Sequence, residues 1–127
     1  MMVPVLVGGA LFAHGLIHVL YVLPAPADPN YPFTFDGSWL IPDSARRVVG
    51  LVLVVVTVLA FSALALTVWS VGGMDSVWKP LTIIGSVASL AILVAFWHPW
   101  VVVGAVIDVG LLTATLVVPD WWTRLPT

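Results

Sequence analysis

Between Leu81 and Val118 the chain reads LTIIGSVASLAILVAFWHPWVVVGAVIDVGLLTATLVV. How Pro99 is read within this stretch decides the fold. As one helix it would rise about 57 Å at 1.5 Å per residue, well beyond a hydrocarbon core of about 30 Å. Proline lacks the backbone donor and clashes with the turn before it, so the stretch divides into helices over about 77–97 and 100–118. The first of these enters through Trp78-Lys79-Pro80, with the proline in the first turn, where it is tolerated. The second ends at Pro119-Asp120.

Two further spans lie upstream. Val3 to Leu23 carries no charged side chain other than any histidine charge and is closed by Pro24 and Pro26. Ala45 to about Ser70 follows Pro42-Asp43-Ser44, where Asp43 or Ser44 is the expected cap. The predicted fold is therefore all-α, a four-helix transmembrane bundle in one domain over 1–127, with both termini on the same side. Its helices cover about 3–23, 45–70, 77–97 and 100–118, and a long loop covers about 24–44. The first run lacks a basic n-region and is long for a signal h-region, so it is read as a retained helix. The loop begins rich in proline and should be extended there. It continues as FTFDGSWLI, residues 33–41, around an Asp36-Gly37 turn signal, and reads either as an aromatic flap over the bundle mouth or as a loop anchored at the headgroups.

Composition agrees. Of 127 residues, 61% are hydrophobic and 8% charged, whereas a soluble domain carries about 25% charged residues. The expected partner is the lipid bilayer of the cell membrane, crossed several times. Net charge is −2 with four Lys and Arg, which leaves no basic patch for nucleic acid. With no cysteine there is no disulfide and no thiolate metal site. Tryptophans fall at the helix ends: Trp69, Trp78, Trp121 and Trp122 on the face of the N-terminus, and Trp39, Trp97 and Trp100 on the opposite face. Arg46 and Arg47 join the second belt, facing lipid phosphates. The positive charges nearly balance between the faces. The acidic loop with Asp28, Asp36 and Asp43 weakly favours cytoplasmic termini.

The chemistry-bearing residues are few. His14 and His18 stand four apart, one turn of helix, in an apolar span. At 1.5 Å per residue they lie about 15 and 9 Å below the Pro24 end, and Asp108 lies about 13 Å below the same surface. His98 lies at the mouth. Three readings stay open. In the first, Asp108 and His14 form a structural hydrogen bond, since a lone midplane Asp costs about 2.5–3.5 kcal/mol. In the second, His14 and His18 ligate a metal ion, completed by Asp108 or His98, or hold a haem. In the third, the group handles protons or binds a small molecule in a pocket. The HExxH pattern of metalloproteases and GxSxG are absent, which places an enzyme last. Small residues Gly85, Ser86 and Ser89 form a patch, and Gly85/Ser89 is the face expected to carry a homo-oligomer or a larger membrane complex.

His14-Gly-Leu-Ile-His18, Trp39-Leu40, Trp78 and Gly104 with Ile107-Asp108 resemble a group of small four-helix bacterial membrane proteins. These open with an HGxxH helix, and some carry the label transporter permease. A more distant similarity is to DoxX-like proteins, where a lysine stands in place of His18. The resemblance implies characteristic positions for His14, His18 and Asp108 and brings no activity. The expected function is that of a subunit or binding module whose polar site takes a metal, cofactor, small ligand or membrane partner. A transporter-like or proton-coupled protein is the alternative.

Overall fold

A computed structural model describes residues 2–69, 76–118 and 124–126. Within them the chain is all-helical, and four helices are long and apolar enough to cross a membrane. The protein is a multi-pass membrane protein, and its even number of crossings returns both termini to one side. Helix α1 spans Met2–Leu16 and runs into a 3₁₀ segment, Ile17–Tyr21. Helix α2 spans Asp43–Val68, and α3 spans Trp78–Ala95. A 3₁₀ turn at Pro99–Val101 leads into α4, Val102–Val117. Pro99 breaks the long apolar run as its chemistry requires, with His98 extended before it. Trp121, Trp122 and the Pro119-Asp120 stop lie outside the described residues.

Three local expectations are corrected. The first span does not remain α-helical to Leu23. It tightens to 3₁₀ from Ile17, where the His18 ring bonds back to the carbonyls of the preceding turn. Helix α2 starts at Asp43 with Pro42 as its N-cap and no side-chain cap. The Asp43 carboxylate instead pairs with Arg46 at 2.6 Å, while the Pro42 carbonyl accepts the N–H groups of Ala45 and Arg46. In that first turn Asp43 still complements the helix dipole. The Gly85/Ser89 patch, expected as the oligomer face, is buried inside the protomer. Gly85 lies against Ala60 and Phe61 of α2, so small residues bring these two helices together and leave nothing there for a second copy.

The helices pack in chain order, α1 on α2, α2 on α3, and α3 on α4, while α1 and α4 share no comparable surface. The inner pair is accordingly more buried than the outer pair. Close approach depends on glycine. A Cβ on Gly15 would lie 2.5 Å from the Phe61 Cβ, so the bare backbone lets α1 settle on α2. One core cluster, Leu11, Phe61, Leu64 and Val68, fills the end nearer the termini. The other, Tyr21, Phe35, Val54, Ile92, Ala95 and Phe96, fills the opposite mouth. Phe35 comes from the long loop, which forms no strand and instead plugs the bundle. Gly50 makes room for that ring, since a Cβ there would lie 2.6 Å from it. The loop is also tied to the end of α3, where the Ser38 hydroxyl and the Trp39 indole N–H donate to the carbonyls of Ala95 and Val94, both at 2.6 Å.

Candidate functional site

Two sets of hydrogen-bonded polar side chains are buried in this bundle. Thr57, Thr67 and Thr82 each donate to the carbonyl four residues earlier, a bond within their own helix. The second set joins three helices. His14 Nε2–H of α1 donates to Asp108 Oδ1 of α4 at 2.8 Å. The other carboxyl oxygen, Oδ2, bonds the Ser89 hydroxyl of α3 at 2.5 Å, and Ser89 Oγ lies 2.9 Å from His18 Nε2. His18 Nδ1–H donates to the His14 carbonyl at 3.0 Å and lies 3.3 Å from that of Gly15. Asp108 and Ser89 are fully buried and His18 nearly so. The turn from α to 3₁₀ contributes here. At three residues per turn rather than 3.6, His18 swings off the line of His14. Thus one imidazole reaches α4 and the other α3, with the rings edge to face at 5.6 Å.

Proton counting sets the charge of this group. Asp108 Oδ2, Ser89 Oγ and His18 Nε2 make two successive hydrogen bonds, which need two protons, and the serine hydroxyl supplies one. With Nδ1–H committed to the backbone, His18 has two forms. As neutral imidazole it accepts from Ser89, and Asp108 brings its own proton. As imidazolium it donates to Ser89, which donates to the Asp108 carboxylate. With His14 neutral, both distributions leave the four side chains with no net charge. An aspartate can therefore sit fully buried at midspan without an uncompensated charge. The two forms interconvert by shifting two protons along a chain of three atoms.

Sequence-predicted residues separate accordingly. His14, His18 and Asp108 come together. His98 does not join them: its Nδ1 accepts the Trp100 N–H at 3.1 Å, which caps the 3₁₀ turn, and its ring meets the Trp100 ring edge to face. Among the described residues no group of three or more His, Cys, Asp or Glu is placed to hold a metal ion. Three of the four ring nitrogens of His14 and His18 already hydrogen-bond within the protein, so chelation by both rings would have to break one of those bonds. Trp39, Trp69, Trp97 and Trp100 are exposed at the helix ends, and Trp78 packs half-buried against the Leu11 cluster. Arg46 is held by Asp43, while Arg47 borders a loop-side cavity of about 310 Å³ with Asp36 and Tyr21.

Ser89 is the member that the sequence reading missed in this role. It stood in the small-residue patch one turn from Ser86, and a hydroxyl at mid-helix was its only signal.

The remaining nitrogen, His14 Nδ1, has no partner among the described residues, and His14 borders a second and larger space. A cavity of about 410 Å³ opens between the first span and α4, with His14, His18 and Tyr21 in its wall. The rest of the wall is apolar apart from the Trp100 indole, from Ala13 and Ile17 to Val103 and Ile107. The size is that of small-molecule sites, about 300–1,000 Å³. Comparison of the chain with protein-family models, with curated proteins and with solved structures gave no match.

Proposed function

We propose that this protein is a membrane-embedded binding module that takes a small molecule into the cleft between α1 and α4. The cavity of about 410 Å³ carries this reading, because there the polar group meets open space. His14 is the hinge of the arrangement. Its Nε2 is anchored on Asp108, and its Nδ1 takes no hydrogen bond from the described residues. Native mass spectrometry of protein taken from membranes into mild detergent tests the reading. The wild type is expected to carry a bound small molecule, and the Ala13→Trp variant, which fills the cleft from an exposed position, is expected to be empty at unchanged helix content. A wild type that is empty in detergent and in nanodiscs, and whose melting temperature no membrane-lipid fraction raises, would overturn it.

A second reading is proton coupling, supported by the chain Asp108–Ser89–His18 with its two proton distributions. An infrared carboxyl C=O band that changes on ligand addition, and is lost in Asp108→Asn, would support coupling. A band unmoved by ligand would leave binding alone. We place the protein in the cell membrane with both termini cytoplasmic. The acidic connection with Asp28, Asp36 and Asp43 supports that orientation. A C-terminal fluorescent fusion should then light up, and a C-terminal alkaline phosphatase fusion should stay inactive.

A further inference from the structure

Tyr21 ends the 3₁₀ segment of the first span and carries a polar atom that the fold does not account for. The residue is only 5% exposed. Its ring stacks on Phe35 at 5.4 Å and meets Phe33 edge to face at 5.3 Å, so the aromatic body is well held. Its hydroxyl, however, is buried with no hydrogen-bond partner. Buried tyrosine hydroxyls ordinarily find one, and an orphan costs free energy that a phenylalanine would avoid. Tyr21 stands between the loop-side cavity and the α1/α4 cavity, whose wall it shares with His14.

The surroundings of the α1/α4 cavity restrict what could satisfy the hydroxyl there. No charged side chain other than the histidines lines it, and with His14 neutral both proton distributions of the group behind it carry no net charge. A charged head would lose its water there and find no counter-ion. The lips of the cleft, Ile17, Val103 and Ile107, are exposed and apolar on the side that faces lipid. Entry is therefore from the bilayer. Resting on the binding reading above, we infer that the site takes an uncharged, lipid-soluble molecule with an oxygen head, a carbonyl or hydroxyl, that hydrogen-bonds Tyr21 while its apolar body fills the cleft.

Photolabelling of the full chain in nanodiscs tests this. Three sixteen-carbon probes with a mid-chain diazirine are compared: the alcohol, the alkane and the carboxylate. The alcohol is expected to label peptides of the first span and α4 saturably, more strongly than either of the others. Tyr21→Phe keeps the ring packing and should melt no lower than wild type. In it, labelling by the alcohol should fall about five- to tenfold, the loss of one hydrogen bond, to the level of the alkane. Equal saturable labelling by alcohol and alkane in the wild type, untouched by Tyr21→Phe, would overturn the head-group inference and leave the binding reading standing. Preferential labelling by the carboxylate would overturn the uncharged class. No saturable labelling by any probe would overturn both.

Discussion

At the scale of single residues, hydrogen-bond supply explains which polar groups this apolar chain keeps. Asp108 accepts or shares protons with two helices at once, and its removal strands both partners. Asp108→Ala should lower stability by roughly 1–3 kcal/mol, from two interhelical bonds of about 0.6–1.7 kcal/mol each, measured by unfolding in mixed detergent. Asp108→Asn can reproduce the form in which the carboxyl holds its proton. Its carbonyl accepts from His14, and its amide donates to Ser89, which donates to His18. It should therefore cost less than Asp108→Ala. An Asn variant as unstable as the Ala variant would instead assign the resting state to the imidazolium–carboxylate form. Ser86 is the opposite case. Its hydroxyl is buried with no partner, so Ser86→Ala should raise the melting temperature, by about 1 kcal/mol in free energy. A drop would mean that an unseen partner, such as water, serves it.

At the scale of elements, the long loop behaves as a fifth packing unit. Phe35 is 6% exposed and sits among Tyr21, Val54, Ile92 and Phe96, and Ser38 and Trp39 stitch its far side to the end of α3. Truncation of a buried phenylalanine costs about 3–5 kcal/mol. Phe35→Ala should accordingly free the loop and speed protease cleavage between residues 24 and 42, visible by intact-mass analysis. An unchanged cleavage rate would show that the Ser38 and Trp39 bonds alone hold it. The alternating pattern around Asp36-Gly37 left open an aromatic flap over the mouth or a loop anchored at the headgroups. The pairing of Phe35 with Gly50 could not be read from it, because that contact joins segments fifteen positions apart in sequence through shape alone.

At the scale of the whole molecule, the order of packing produces the cleft. Because α1 and α4 meet only weakly, the His14–Asp108 bond is a principal tie between them. His14→Ala should loosen that edge, and a cysteine introduced at Gly104, which lines the cleft, should react faster with a lipid-soluble maleimide in the His14→Ala background. Equal rates would mean that packing through α2 and α3 alone holds the outer helices in place.

The sequence by itself determined the four spans, their approximate ends and the depth of His14 and Asp108. These follow from the 1.5 Å rise, the bilayer thickness and the conformational limits of proline, all local or one-dimensional quantities. The residues also grouped His14, His18, Asp108 and His98 in one half of the bundle, because helices running in opposite directions can bring equal depths together. Only the tertiary structure decided the facing. It placed Ser89 between Asp108 and His18, sent His98 to cap a turn, left the Tyr21 hydroxyl unpaired and turned the Gly85/Ser89 patch inward. Each of these depends on helix rotation and on the order in which helices pack. Both are set by the summed fit of side chains such as Phe61 against Gly15 and Gly85, and no single segment carries that sum.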